Sequence, residues 1–206
     1  MIEGAVGGIE VRYAAANETT EQSQKLVVLS HPHPLHGGTM DNKVVTTMAR
    51  AFHRLGYITV AYNFRGVGKS EGKYDHGVGE QDDLMAVVAW EKQTFNAEHL
   101  TLAGFSFGSY VSLRVAHSKK VEVNALCTVA PPVGLYDFSG LLSKEGGGEI
   151  FWTLIQGGQD EVVSAKEILN WAMSQPNKPD IYWREQAGHF FHGELIWLKK
   201  VILLAF

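Results

Sequence analysis

The sequence predicts an α/β protein with a mostly parallel central sheet and helices on both of its faces. Three observations predict it. Six short apolar runs have the length of strands, and stretches with helical spacing separate most of them, as in repeated βα units. The runs are apolar almost throughout, which is typical of parallel strands covered by helices on both faces. They lie at residues 25–30, 57–63, 100–105, 125–130, 151–156 and 180–184.

One earlier run differs from these six. Residues 8–13 alternate apolar and polar side chains, so they predict an antiparallel strand at the edge of the sheet. The first helix is predicted to be capped by Asp41 and to stop at Gly56. Helical spacing of apolar residues, with start and stop signals, predicts helices at residues 41–55, 79–94, 106–118, 164–174 and 193–206.

The bulk properties limit the class of protein. With 206 residues the chain is long enough for one domain with a substantial core, and we expect residues 1–206 to form one domain. A net charge of -4 offers no basic field to a phosphate backbone, so nucleic acid is not an expected partner.

The expected location is cytoplasmic. We expect no secretory signal and no membrane span, because the first residues lack a basic segment and the apolar runs are short. The one cysteine, Cys127, lies in an apolar run and cannot form an internal disulfide, which suits a reducing compartment. The sequence leaves the oligomeric state open, a homodimer included.

The most specific motif is G-x-S-x-G at residues 104–108, between a predicted strand and a predicted helix. An activated serine needs a tight strand-to-helix turn that holds its hydroxyl above the edge of the sheet. Such a turn brings backbone close to backbone, so glycine is needed two residues before and after the serine. The following helix points free N–H groups and its positive dipole end at the site. The motif therefore predicts Ser106 as a nucleophile.

A serine hydroxyl becomes nucleophilic when a base takes its proton, and an acid must orient that base. In enzymes with this type of turn, the acid and then the histidine follow the serine along the chain. Asp160, after a strand and a glycine turn, is the favoured acid, and Asp137 is the alternative. His189, just past the last strand, is the favoured base, and His192 is the alternative.

Acyl transfer also needs two backbone N–H groups that stabilise a negatively charged oxygen. One is expected from Phe107, the residue after the nucleophile. The other is expected in the turn after the strand at residues 25–30, where two prolines have no N–H to offer. His33 is the favoured second donor, and Leu35 is the alternative.

Two further patterns point to other chemistry, and both are incomplete. Histidines at residues 31–36 approach the metal-binding pattern H-x-H-x-D-H, but Leu35 stands at the aspartate position. Residues 65–70 end like a phosphate-binding loop, but Asn63 replaces a required glycine and no helical pattern follows. We therefore expect neither a metal nor a nucleotide cofactor.

Taken together, these motifs resemble the α/β-hydrolase superfamily, and within it the small bacterial serine hydrolases that lack a lid. The resemblance extends over nearly the whole chain, with its motifs at residues 31–38, 63–72, 104–108, 158–160 and 188–193. It implies the α/β-hydrolase fold without a cap domain, a triad of Ser106, Asp160 and His189, and no cofactor. The chain departs from many relatives in having His-Pro directly after the first parallel strand, where they have His-Gly.

These features predict an enzyme that cleaves carboxylic esters or thioesters of small acyl substrates through an acyl-serine intermediate. Without a cap to wall the cleft, short-chain substrates are expected. Two alternatives stay open. One is a peptidase-like serine hydrolase, which would use the same triad. The other is a non-catalytic binding protein with the same fold, which would have no need of all three triad residues.

Overall fold

The computed structural model describes residues 1–16, 25–95, 97–141 and 150–206. The strands are β1 (Ile2–Gly4), β2 (Gly7–Ile9), β3 (Val11–Ala14), β4 (Lys25–Ser30), β5 (Ile58–Tyr62), β6 (His99–Phe105), β7 (Ala125–Val129), β8 (Phe151–Gly157) and β9 (Asp180–Arg184). The helices are α1 (Lys43–Arg54), α2 (Gly79–Phe95), α3 (Phe107–His117), α4 (Ala165–Ser174) and α5 (Leu195–Ala205). Within these residues, no helix has the length and apolar character needed to cross a bilayer.

Seven of the described strands form the central sheet, in the order β3-β5-β4-β6-β7-β8-β9. Neighbouring strands are parallel, except that β3 runs antiparallel to β5 at the edge. The order reverses at β4, which lies between β5 and β6, and Ser30 at its end pairs with Gly104. The turns after β4 and β6 therefore lie side by side, at the switch point where open α/β sheets bind ligands.

Helices bury both faces of the sheet, which confirms the predicted fold class. Leu26 and Val28 of β4 enter one apolar core, and Val27 and Leu29 enter the other. The first core contains side chains of α2, α3 and α4, and the second contains side chains of α1 and α5. Because alternate residues of the inner strands, β4 to β8, are buried on opposite sides, these strands are largely apolar, whereas the edge strands β3 and β9 are less buried.

The predicted strands of the parallel sheet are confirmed within one residue at each end. The predicted edge strand at residues 8–13 is wrong as a single element, because β2 ends before Glu10 and β3 begins after it. The Glu10 carboxylate accepts hydrogen bonds from the Asn63 side chain and the Lys69 N–H, which draws the chain toward another loop. β2 instead pairs with β1, a strand the sequence did not predict.

The cap of the first helix also differs from the prediction. Asn42, not Asp41, caps α1, since its side-chain oxygen accepts the N–H of Val44 at 2.9 Å. A cap must directly precede the first helical residue, and the helix begins at Lys43. Asp41 instead forms an ion pair with Arg12 at 2.6 Å.

A carboxyl group in α2 is buried without compensation. Glu91 is fully buried, and neither of its carboxyl oxygens has a hydrogen-bond partner among the described residues. Burial raises the pKa of Glu91 well above its usual value. A carboxyl group that takes up a proton on folding makes the native state less stable as the pH rises above its unfolded pKa of about 4.3.

Glu91→Gln should therefore gain stability relative to the wild type as the pH rises. The gain should begin above about pH 4.5 and grow by up to about 1.4 kcal/mol per pH unit, until the folded-state pKa is reached. Urea unfolding between about pH 5 and 8 measures this difference. Glu98→Gln, at an exposed position, is the control for the loss of one negative charge. A difference between Glu91→Gln and the wild type that does not change with pH, or that changes equally in Glu98→Gln, would contradict this account.

Candidate active site

Ser106 occupies the turn between β6 and α3. Its φ of 52° and ψ of -119° are unusual for a residue with a side chain. The Ser106 N–H donates to the carbonyl of Val129 at 2.8 Å, and the Ser109 hydroxyl, with the carbonyls of Gly104 and Val129 at 2.7 and 3.0 Å, can donate its proton to either. These hydrogen bonds hold Ser106 in a backbone conformation that is energetically unfavourable for a residue with a side chain. Such strain is common where a reactive group must be positioned.

The two glycines of the motif are required by close backbone contacts. A Cβ at Gly104 would overlap the backbone of Gly108, and a Cβ at Gly108 would overlap the carbonyl of Ser30 at the end of β4. A side chain at either position would push α3 away from the sheet. The close backbone contacts that were expected to require glycine at these two positions are therefore present in the structure.

The structure brings the three predicted triad side chains together. His189 Nε2 lies 3.0 Å from Ser106 Oγ, and His189 Nδ1 lies 2.8 Å from Asp160 Oδ2. With the ring proton on Nδ1, the ring donates to Asp160, and Nε2 is free to accept the serine proton. The side chains of His189 and Asp160 are 3% and 0% exposed, so water hardly competes for these hydrogen bonds.

Four donors surround the Asp160 carboxylate. The N–H groups of Val162 and Val163 donate to Oδ1 at 2.9 Å each, and Gln156 Nε2 donates to Oδ2 at 3.0 Å, beside His189. Burial by itself would raise the pKa of Asp160. The hydrogen bond and charge interaction with His189, together with the two N–H groups, outweigh burial and lower this pKa below its usual value. Asp160 therefore stays ionised and can orient the imidazole.

Glu161 is a positioning residue that the sequence reasoning missed. Its carboxylate accepts the backbone N–H of His189 at 3.0 Å and so fixes the loop that carries the imidazole. A Cβ at Gly188 would lie 2.7 Å from the same carboxylate, which explains the glycine there. The His189 ring packs against Phe105, with 5.1 Å between ring centroids. The only sequence signal for Glu161 is its place directly after Asp160.

Neither alternative triad residue enters this hydrogen-bond chain in the described part of the protein. Asp137 is exposed, and its carboxylate accepts the N–H and the hydroxyl of Ser139. His192 is exposed, and its ring packs near that of Phe190, with 5.8 Å between the ring centroids. The geometry thus favours the acid and the base that the sequence favoured.

The turn after β4 distinguishes the two candidate oxyanion donors. The Leu35 N–H donates to His33 Nδ1 at 3.1 Å, and the His33 carbonyl accepts the N–H groups of His36 and Gly38. The Leu35 N–H is thus engaged within the turn, which favours His33 as a donor. The His33 ring lies 5.4 Å from the ring of Phe107, whose own N–H is the first of α3 and has no partner within the helix.

His31 braces this turn. It is fully buried, its Nδ1 lies 2.6 Å from the carbonyl of Pro32, and its Nε2 accepts the N–H of Phe64 at 3.0 Å. Burial lowers the pKa of His31 to about 4, so the ring stays neutral. Both ring nitrogens are used in these hydrogen bonds, which leaves His31 without an atom for a metal.

The loop at residues 65–70, whose sequence ends like that of a phosphate-binding loop, and the preceding Asn63 are hydrogen-bonded to other groups of the protein. Asn63 accepts the N–H of Met40 with its side-chain oxygen and donates to Glu10 with its nitrogen. The Lys69 N–H also donates to Glu10. A backbone N–H that a phosphate would need is therefore bound to a carboxylate.

Comparison with known proteins identifies the family. The model of the S15 family, described as X-Pro dipeptidyl-peptidase, matches residues 12–148. The chain belongs to the S15 family. The match includes Ser106 and ends before Asp160 and His189. An uncharacterised protein of Rickettsia prowazekii is 37% identical to this S15-family chain over 97% of the chain and 84% of the relative.

Solved structures agree with this placement. A serine hydrolase without a lid from Xanthomonas campestris is 38% identical, with a TM-score of 0.91 over 99% of this chain and 90% of that chain. An α/β serine hydrolase homologue from Coxiella burnetii is 42% identical, with a TM-score of 0.90 over 98% and 94% of the two chains. The S15-family chain is thus a serine hydrolase with the α/β-hydrolase fold, similar to a relative that lacks a lid.

Proposed function

We propose that this chain hydrolyses carboxylic esters or thioesters of small acyl groups, with Ser106 as nucleophile, His189 as base and Asp160 as the orienting acid. The observation that carries the proposal is the continuous hydrogen-bond chain from the serine hydroxyl through the imidazole to a buried, ionised carboxylate. A non-catalytic binding protein would have no use for this chain of groups.

The reaction proceeds in two halves. Ser106 Oγ attacks the substrate carbonyl while His189 Nε2 takes its proton, and the N–H groups of Phe107 and His33 stabilise the resulting oxyanion. His189 then gives that proton to the leaving alcohol or thiol, and the acyl group stays on the serine. Water repeats the attack with the same base and releases the carboxylic acid. Asp160 stabilises the imidazolium in both halves.

A peptidase that cleaves X-Pro peptides is the second candidate, because the S15 family model carries that description. A dipeptidyl-peptidase must also bind the free ammonium group of its substrate, which calls for an available carboxylate. The two carboxylates beside the base are both in use, Asp160 by the imidazole and Glu161 by the His189 N–H. We place esters and thioesters first because they need no such anchor.

A substrate panel tests the proposal. Short-chain acyl esters, acyl thioesters and X-Pro anilides are assayed with the wild type, Ser106→Ala and the control Ser112→Ala, which removes another buried serine hydroxyl of α3. We expect ester and thioester hydrolysis that falls by a factor of about 10⁴ or more in Ser106→Ala and persists in Ser112→Ala. Preferred cleavage of X-Pro anilides would replace the ester proposal with the peptidase. A folded but inactive wild type would favour the binding protein.

A further inference from the structure

A group of aromatic side chains begins one residue from the nucleophile. The ring of Phe107 lies 5.8 Å from that of Tyr74, 5.4 Å from that of Tyr136 and 5.4 Å from that of His33. Phe107 is buried, whereas the other three are only partly buried. These three side chains, Tyr74, Tyr136 and His33, form the accessible surface of the group, and we call them the aromatic wall.

Packing against a further pair of aromatic side chains fixes the ring of Tyr136. It stacks on Tyr110 with 4.8 Å between centroids and 25° between planes, and Tyr110 in turn contacts Phe138 at 5.3 Å. The hydroxyls of Tyr136 and Tyr74 lie 3.3 Å apart. Burial raises the pKa of both phenols, so both rings remain uncharged at neutral pH. Burial, with the nearby charges of His36 and His76, lowers the pKa of His33, the third member of the wall. The wall is therefore neutral at neutral pH, and its tyrosine rings are held in place.

The loop that carries Tyr74 is also fixed. The buried carboxylate of Glu80 accepts the N–H groups of Asp75 and Gly77 at 2.8 and 2.7 Å. A Cβ at Gly77 would lie 2.7 Å from the ring of Tyr110, so this loop packs directly against the side chain on which Tyr136 stacks. A surface that is already ordered loses little conformational entropy when a ligand binds.

Three exposed apolar side chains lie on loops at the same edge of the sheet as the aromatic wall. Leu35, Val78 and Leu135 are 69%, 66% and 60% exposed. They lie on the loops that follow β4, β5 and β7, at the carboxyl edge of the sheet where Ser106 also lies. Single exposed apolar side chains are ordinary, so these three add apolar character to this edge of the sheet, and the binding surface itself is the aromatic wall.

We propose that the aromatic wall binds an aromatic ring that the substrate carries next to its scissile bond. This inference rests on the proposed ester hydrolysis at Ser106 and adds the substrate class. Ring pairs with centroids about 4.5–7 Å apart bind about two- to twelvefold more tightly than their buried area alone provides. A saturated ring of the same size gains only the binding free energy of its buried apolar area, so the wall should bind the aromatic ring more tightly.

Matched substrate pairs test this inference. Methyl phenylacetate and methyl cyclohexylacetate place the ring in the acyl part, and benzyl acetate and cyclohexylmethyl acetate place it in the alcohol part. The kcat/KM ratio of aromatic to saturated ester, corrected for the ratio of their rates with hydroxide, should be about fivefold in one pair, which identifies the side that meets the wall. Tyr136→Leu and Tyr74→Leu should bring this ratio close to one.

Tyr136→Phe keeps the ring and should keep the ratio, and Tyr13→Leu, on the edge strand, is the control that should also keep it. A wild-type ratio near one in both pairs would overturn the inference, as would a Tyr136→Leu variant that retains the preference. Failure of the proposed ester hydrolysis would be recognised separately, because neither ester of either pair would then be hydrolysed. That result would also overturn the inference.

Discussion

Replacing His189 with alanine should lower kcat by a factor of about 10⁴ or more and leave KM and the fold largely unchanged. The imidazole lies 3.0 Å from the Ser106 hydroxyl and 2.8 Å from Asp160, so it is placed to take the serine proton. Without it, the hydroxyl keeps its proton at neutral pH and attacks slowly. Steady-state kinetics on a small ester measure the loss, and urea unfolding checks the fold.

His192→Ala is the matched control for this prediction. His192 is three residues away, exposed, and touches Phe190 rather than the serine. Its loss should cost no more than about tenfold, through a small shift of the loop that carries His189. An inactive His192→Ala beside a largely active His189→Ala would show that the base is assigned to the wrong histidine.

Asp83→Ala should destabilise the protein by about 3–5 kcal/mol. The Asp83 carboxylate accepts the Arg65 backbone N–H at 2.9 Å and the guanidinium at 2.8 Å, and the two side chains are only 0% and 7% exposed. Removing the carboxylate leaves a buried guanidinium without its counter-charge, which is the most costly way to break an ion pair. Urea unfolding at neutral pH measures the free energy of unfolding.

Asp41→Ala provides the comparison, because Asp41 also pairs with an arginine. The two partners, Arg12 and Asp41, are 56% and 62% exposed, so water already solvates both charges. Their pair should contribute between about 0 and 1 kcal/mol. Equal losses of stability in Asp41→Ala and Asp83→Ala would contradict the view that burial decides the cost.

The parallel sheet could be predicted because most of its strands are buried on both faces and so are continuous apolar runs, and because these runs have the length of strands rather than of helices. The N-terminal strands could not be predicted in full. Their division at Glu10 depends on hydrogen bonds to Asn63 and Lys69, more than fifty residues away in the sequence. The α1 cap was misassigned for a local reason, since two adjacent residues, Asp41 and Asn42, are both good caps.

The candidate triad could be predicted because the chemistry fixes the order of its members and the strand ends limit their places. Glu161 was missed, because a carboxylate that binds a backbone N–H leaves no motif. The aromatic wall was missed for a related reason. Tyr74 and Tyr136 lie on separate loops, and only the packing of both against Phe107 brings them together.

Covalent labelling with a fluorophosphonate tests most directly whether Ser106 is an activated nucleophile. The phosphonyl group reacts rapidly only with a serine whose proton is taken by a base. Mass spectrometry of the digested, labelled protein should find the modification on Ser106 alone, at close to one per chain. Heat-denatured protein and His189→Ala should react far more slowly. Labelling at another serine, or no labelling of well-folded wild-type protein, would contradict the account.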